Sequence, residues 1–317
     1  MPPMPTPIVL ETEPIAPASH AWLADRVELL RRPYQDRAAL LADLPRAAGL
    51  LVRTYTIVDR ALLDHAPDLR VVARAGVGLD NIDLDACRAR SITVVHTPDS
   101  NSQSVVEFVA WALIAHTRSI RTLNTDYTPD HWHEIRHAAS TERSLVGQTL
   151  GILGLGRIGS RVAALASSLG MRVQYHDLLD IPPHERAGAE PVLMEQLVRT
   201  SDAISIHVDG RASNRYLINT DTFSMMKPDA LFINAARGPI VDPSAAMQFA
   251  TNNPLARIVL DVHDPEPLNN PELLALPNVT LTPHIASGTQ QAKEAMSWVV
   301  RDLVRVLEGQ QPEHRAV

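Results

Sequence analysis

Arg237, Glu266 and His284 are polar side chains that can act together on a 2-oxo or 2-hydroxy acid. An arginine makes a two-pronged, permanently charged contact with a carboxylate. A histidine exchanges a proton with a carbinol oxygen near neutral pH. A glutamate bonded to the other ring nitrogen orients the imidazole and raises its pKa. Each of the three follows an apolar run: Leu231-Phe232-Ile233-Asn234 before Arg237, Leu260-Asp261-Val262 before Glu266, and Thr280-Leu281-Thr282-Pro283 before His284. Taken singly, His284 reads as a hydrogen-bonded loop histidine and Arg237 as half of a surface ion pair. In a doubly wound sheet, however, ligands lie outside the carboxyl ends of the strands, where all three can converge.

A second constellation lies upstream. The strand-like run Thr149–Leu153 leads into Gly154-x-Gly156-x-x-Gly159, and an alanine- and leucine-rich helical pattern follows. Gly154 permits a tight turn, Gly156 lets the backbone approach a pyrophosphate, and Gly159 lets the helix pack on the strand. The helix N-terminus then offers free N–H groups and a positive dipole end to phosphate. The next strand-like run, Met171 to His176, ends at Asp177, 18 residues beyond Gly159. An acid there binds the ribose hydroxyls of NAD; the plainer alternative is a loop carboxylate capping a helix. Leu178 and Leu179 follow, with no arginine to receive a 2′-phosphate. The pattern predicts an NAD-preferring site.

The elements that carry these residues alternate. Strands are expected at Pro7–Glu11, Gly49–Arg53, Leu69–Ala73, Ile92–His96, Thr149–Leu153, Arg172–His176, Ala203–His207, Ala230–Asn234, Arg257–Asp261 and Val279–Leu281. Helical periodicity lies between several of them, as over Arg157–Leu169, Met194–Thr200 and Asp242–Thr251. Strands separated by helices imply parallel sheets covered on both faces. Ten strands exceed one nucleotide-binding sheet, so two α/β units are expected, of about four and six strands. The turn-rich Thr97–Asn101 marks the seam, followed by a long helix from Ser102 to about Thr122. Another long helix, from about Thr289 to Leu307, closes the chain.

Composition narrows the classes. The 317 residues are 45% hydrophobic and 21% charged, with a net charge of −7 and no long run of one sign, which leaves no broad basic surface for nucleic acid. No apolar stretch is long enough to span a bilayer. The start MPPMPTPIVLETEP has no basic n-region or apolar h-region, so no signal peptide is expected. The single cysteine, Cys87, cannot form an internal disulfide and fits a reducing, cytoplasmic compartment.

The segments TLGILGLGRIG, SDAISIH, MKPDALFINAARGPIVD, LDVHDPEPL and NVTLTPHIA, preceded by LRVVARAGVGLDNIDLDAC and HTPDSNSQSVVEFVAWAL, resemble the D-isomer-specific 2-hydroxyacid dehydrogenase family over nearly all of the chain. The resemblance implies two doubly wound α/β domains: a Rossmann NAD domain over residues 101–286, inserted into a flavodoxin-like substrate domain built from 1–100 and 287–317. It implies a homodimer. It makes Arg237 the ligand of the substrate carboxylate, His284 the acid/base and Glu266 its partner. It assigns the cofactor to Gly154, Gly156, Arg157, Ile158, Gly159, Asp177, His207, Ala235 and Asp261. The substrate falls to Arg53, Gly76, Val77, Gly78 and Asn101, with the 76–78 amides facing the carboxylate.

Within the family, Arg53-Thr54, the Ala73–Asp83 run and Asn101 look most like the 3-phosphoglycerate dehydrogenase branch. Arg53 would reach a substrate phosphate; its alternative is an ion pair in the domain cleft. A hydroxypyruvate or glyoxylate reductase is the second reading, and a non-catalytic NAD-sensing interaction protein the third. Glutamic acid at 266 argues against the formate-oxidising branch, which carries glutamine there. The chain departs from the family at Val208-Asp209-Gly210-Arg211-Ala212, where the family reads x-Pro-Leu-Thr after the histidine. It departs again at Ser144-Leu145, where the family has Glu-Leu. The histidine-rich Trp132–His137 stretch reads as a solvated dimer arm. No C-terminal regulatory domain, and so no serine feedback through one, is expected. No metal is expected, because Asp261, His263 and Asp264 crowd too closely to close a shell. Glu107 is expected to be a buried structural carboxylate, and Cys87 to be packed and unreactive.

Overall fold

The computed structural model describes residues 6–118, 120, 122–123 and 128–317. The chain divides into two compact units, Met1–Asn101 with Gly288–Val317, and Ser102–Ser287.

The first unit holds five parallel strands: β1 Ile8–Glu11, β2 Glu28–Arg31, β3 Gly49–Val52, β4 Val71–Arg74 and β5 Thr93–Val95, in the order β2-β1-β3-β4-β5. This is the flavodoxin-like order. The central strand β3, Gly-Leu-Leu-Val, is buried throughout. Its Leu50 packs among Leu10, Leu62 and Val72 on one face of the sheet, and its Leu51 among Val9, Val71 and Leu303 on the other. Each such leucine contributes roughly 1.5–3 kcal/mol of burial.

The second unit holds seven parallel strands: β6 Thr149–Leu153, β7 Arg172–His176, β8 Glu190–Pro191, β9 Ala203–Ile206, β10 Leu231–Asn234, β11 Arg257–Leu260 and β12 Val279–Leu281. Their order, β12-β11-β10-β9-β6-β7-β8, is the doubly wound Rossmann arrangement with one strand added at the β12 edge. The direction of winding reverses between β6 and β9, which places a binding crevice beyond the carboxyl ends of those strands. Two separate cores cover the two faces. One is centred on Phe223, Phe232 and Phe249, whose neighbouring ring centroids lie 5.1 Å apart. The other joins Leu150, Ile152, Val162 and Ala166 to Val109 and Leu113 of helix Ser102–Thr117.

The sheets therefore have five and seven strands rather than four and six. The two additional strands are edge strands without a strong apolar run. The first is the partly exposed Glu-Leu-Leu-Arg of β2, and the second the exposed pair Glu190–Pro191. The long helix after the seam ends at Thr117; Ser119 and Arg121, within its expected span, lie outside the described residues, as does the start Met1–Pro5. The expected closing helix is two segments, Gln290–Ser297 and Val300–Leu307, interrupted at Trp298 and Val299. Glu107 is exposed rather than buried and accepts a bond from Gln103 one turn back at 3.3 Å. Helix Pro129–Ser140, which contains the histidine-rich stretch, buries none of its residues. Among the described residues, no helix is long and apolar enough to cross a membrane.

Candidate active site

All strands of the second unit run parallel, so the segments leaving their carboxyl ends share one edge of the sheet. The glycine turn leaves β6. Gly154 has a φ of 93°, which a side chain rarely adopts, and a Cβ there would meet Val208 Cγ1 at 2.9 Å and the His207 carbonyl at 3.0 Å. A Cβ on Gly159 would lie 2.1 Å from the Gly154 carbonyl oxygen, so the helix can approach the strand only because this residue is glycine. A Cβ on Gly156 would meet nothing within 4 Å. Gly156 is also the N-cap of helix Arg157–Ser168, and no side chain caps it. The helix start is thus open at Gly156 and uncapped, with the positive end of the helix dipole behind it, a cradle that fits a pyrophosphate. Arg157 is exposed beside it, and Ile158 half-buried.

Asp177 follows β7. Its Oδ2 accepts the Leu155 amide at 2.7 Å and its Oδ1 the Leu179 amide at 2.9 Å. The carboxylate is thereby fastened to the glycine turn, and each oxygen keeps a lone pair for a further donor. His207 follows β9, bonded through Nε2 to Ser205 Oγ at 2.9 Å, and burial pushes its imidazole down to about 4, so the ring is neutral at pH 7. The departing residues beyond it form a fork: Arg211 Nε and Nη2 donate to Asp209 at 2.6 and 2.5 Å. That fork, opposed by desolvation and helped by the charge of Arg237, holds the Asp209 carboxyl below its ordinary value.

The three strands on the other side carry the residues expected to react, Arg237, Glu266 and His284. His284, after β12, shares a hydrogen bond between Nδ1 and Glu266 Oε2 at 2.9 Å; both side chains are a little over one-third exposed, 39% and 36%. The other Glu266 oxygen accepts the His263 amide at 3.0 Å. Burial raises the Glu266 carboxyl, but the hydrogen bonds from His284 and the His263 amide, together with the charge of both rings, outweigh it and leave the group below its usual range. Glu266 is therefore an anion near neutral pH, suited to holding a proton on Nδ1 and leaving Nε2 for exchange.

His284 is held in an unusual backbone shape, with a φ of 54°. For a non-glycine residue this costs on the order of 1–3 kcal/mol and persists only where the surroundings enforce it. The enforcing residue is Asp261, fully buried at the end of β11. Its carbonyl accepts the His284 amide at 2.8 Å, its Oδ1 accepts the Thr282 hydroxyl at 2.6 Å and the Ile285 amide at 2.7 Å, and its Oδ2 accepts the Ala286 amide at 2.8 Å. Three of about four carboxylate lone-pair positions are thus used inside the protein. His263 adds a contact from its Nε2 to the Thr282 carbonyl at 2.8 Å.

Arg237, after β10, is shaped by Asn234, a buried residue whose amide donates to the Arg237 carbonyl at 2.9 Å and whose Oδ1 accepts the Ala236 amide at 3.1 Å. Ala235 is half-buried in this turn. A Cβ on Gly238 would fall 1.8 Å from the His263 carbonyl oxygen, so the arginine turn and the glutamate segment are in direct backbone contact.

The remaining expected residues belong to the first unit. Arg53, just after β3, donates from Nη1 to the Pro14 carbonyl at 3.2 Å. The turn Gly76-Val77-Gly78 follows β4; the Gly76 carbonyl accepts the Thr97 amide at 3.1 Å, and the Val77 carbonyl lies 3.0 Å from His96 Nδ1. A Cβ at Gly76 would collide with the Arg74 guanidinium, 1.4 Å from Nη1. Asn101, half-buried, ends the first segment of the unit. Asn234, Gly238, His263 and Thr282 also shape these turns; their only signal in the sequence is their place inside the same motif segments. Among the described residues, no cluster of three or more histidine, cysteine or acidic side chains could hold a metal.

Residues 110–286 match the model of the D-isomer specific 2-hydroxyacid dehydrogenase NAD binding domain. The chain is 35% identical over 304 residues to the D-3-phosphoglycerate dehydrogenase of Mycobacterium tuberculosis, covering 96% of this chain and 57% of that one; it thus spans little more than half that relative's length. It is 37% identical over 274 residues to the (S)-sulfolactate dehydrogenase of Chromohalobacter salexigens, covering 85% and 87% of the two chains. Among solved structures, the TT0316 protein of Thermus thermophilus superposes with a TM-score of 0.84 at 31% identity, covering 98% of this chain and 100% of that one. The chain belongs to the D-isomer specific 2-hydroxyacid dehydrogenase family, with NAD as its cofactor.

Proposed function

We propose that this chain is an NAD-dependent dehydrogenase of a D-2-hydroxy acid with a second, distal anionic group, 3-phosphoglycerate being the best candidate. The observation that carries the reaction is the bond between His284 and Glu266, set beside the arginine turn and on the same sheet edge as the glycine cradle. The cradle, Asp177, His207, Ala235 and Asp261 would hold the dinucleotide, which supplies or accepts a hydride when bound. Arg237 clamps the substrate carboxylate and draws charge toward the carbonyl oxygen. In oxidation, His284 Nε2 removes the hydroxyl proton; in reduction, the imidazolium returns it. Glu266 keeps the ring oriented and stabilises its charged form. Gly76, Val77, Gly78 and Asn101 assist at the carboxylate end, and Arg53 takes the distal anion. The names of both relatives, 3-phosphoglycerate and sulfolactate, denote 2-hydroxy acids with such a group. A second copy of this chain is the proposed cover for helix Pro129–Ser140, which leaves Trp132 exposed.

The test is NADH absorbance against a panel: 3-phosphoglycerate with NAD, and hydroxypyruvate, glyoxylate, pyruvate and 2-oxoglutarate with NADH, with His284→Ala as the blank. Turnover of 3-phosphoglycerate with little on the others supports the assignment. Turnover of the small oxo acids alone replaces it with a general reductase. Silence throughout, with NADH still bound by fluorescence titration, replaces it with a non-catalytic NAD sensor.

A further inference from the structure

Glu13 is a buried carboxylate, 6% exposed, two residues past β1. Its two oxygens collect the amides of four consecutive residues. Oε1 accepts Arg53 N at 3.0 Å, Tyr55 N at 3.1 Å and Thr56 N at 3.1 Å, with the Thr56 hydroxyl also at 3.1 Å; Oε2 accepts Thr54 N at 2.9 Å. From the other side, the Asn81 amide donates to the Arg53 carbonyl at 3.2 Å and the Thr56 carbonyl at 2.8 Å. Thr12 Oγ1 meets Thr56 Oγ1 at 2.6 Å, and Tyr55 stacks on Tyr34 with ring centroids 5.2 Å apart. Successive amides converging on one point form an anion nest. Here the anion is internal, so the backbone of residues 53–56 has no amide left to offer a ligand.

A buried charge is tolerated only when it is hydrogen-bonded, and every hydrogen bond that Glu13 accepts comes from this loop. The loop is fastened while Arg53 remains half-exposed, its Nη1 donating to the carbonyl of Pro14, next to Glu13. We propose that Glu13, with Asn81 opposite, is a positioning residue that fixes where Arg53 presents its guanidinium. It thereby sets selectivity for 2-oxo acids with a distal phosphate over those without one. The inference rests on the reading that Arg53 takes the distal anion.

The experiment compares kcat/KM for 3-phosphohydroxypyruvate and hydroxypyruvate, two acids that differ only in the phosphate. It uses the full chain, Glu13→Gln, Arg53→Ala and the double variant. Glu13→Gln replaces one acceptor with a donor facing an amide, and is expected to lower the ratio about tenfold, with the loss falling on KM for the phosphorylated acid. Arg53→Ala is expected to lower it further, and the double variant to fall no lower than Arg53→Ala alone, because one residue acts through the other. If Glu13→Gln weakens both acids equally, or the double variant loses the product of the two effects, the positioning role is overturned while that of Arg53 stands. If Arg53→Ala leaves the ratio unchanged, the reading of Arg53 itself fails. Should Glu13→Gln not fold, Asn81→Ala removes the opposite fastening; a smaller drop in the same ratio supports the proposal, and an unchanged ratio overturns it.

Discussion

Glu13 and Glu266 are two residues of one type in opposite employment. Glu13 is sealed at 6% exposure and accepts all of its hydrogen bonds from one loop and none from an ionisable ring. Glu266 is 36% exposed, spends one oxygen on the His263 amide and keeps the other for an imidazole that can gain or lose a proton. A carboxylate that faces only amides has one useful charge state, and its work is geometry. A carboxylate that faces a titratable ring shares its charge with that ring, and its work is chemistry.

The comparison breaks most sharply at His284. Replacing it with alanine removes the proton carrier, and kcat with any active 2-oxo acid is expected to fall by about 10²–10⁴-fold while NADH binding by fluorescence persists. Retained turnover would strip Glu266 of its chemical role. Next is Gly238→Ala, which drives a methyl group into the His263 carbonyl 1.8 Å away. A loss of about 1–3 kcal/mol in denaturant unfolding is expected, with weaker activity, because both reactive turns must move. Unchanged unfolding and turnover would show the contact to be loose.

Glu266→Gln sharpens the contrast through pH. Against the burial that raises it, the Glu266 carboxylate is held below its usual range by the hydrogen bonds of His284 and the His263 amide and by the charge of both rings. Removing the negative charge favours the neutral imidazole. Reduction needs the imidazolium, so its activity limb should move to lower pH, with about a tenfold loss at neutral pH. A limb that stays in place would make Glu266 a spacer like Glu13. The smallest effect is expected at Cys87, buried in the first unit, where burial and the neighbouring Asp83 push the thiol up to about 11. Native protein at pH 8 should resist iodoacetamide, and labelling at the rate of free cysteine would show that unit to be far less closed.

Glu266 was legible in the sequence and Glu13 was not, for a physical reason. Glu266 and His284 lie at the ends of apolar runs, 18 residues apart, inside long motifs, and strand ends in a parallel sheet are where sites gather. Glu13 acts on backbone amides forty residues away, and amides carry no residue identity to read. The same limit explains the fold. The buried strands β3, β9 and β10 announce themselves by apolar content, whereas β2 and β8 exist only because a neighbouring edge accepts them. Asp261 stands out in the sequence only by its place in the family segment; its fastening of Ile285 and Ala286 required coordinates.

The contact at Gly238 also bears on redesign. Because the turn that carries Arg237 touches the peptide that leads to Glu266, neither can be lengthened, widened or grafted alone. A library that varies one turn while freezing the other would sample mostly broken backbones. Exchanging both as a single cassette, from a donor that also has glycine at this place, would preserve the joint and leave substrate preference as the variable under selection.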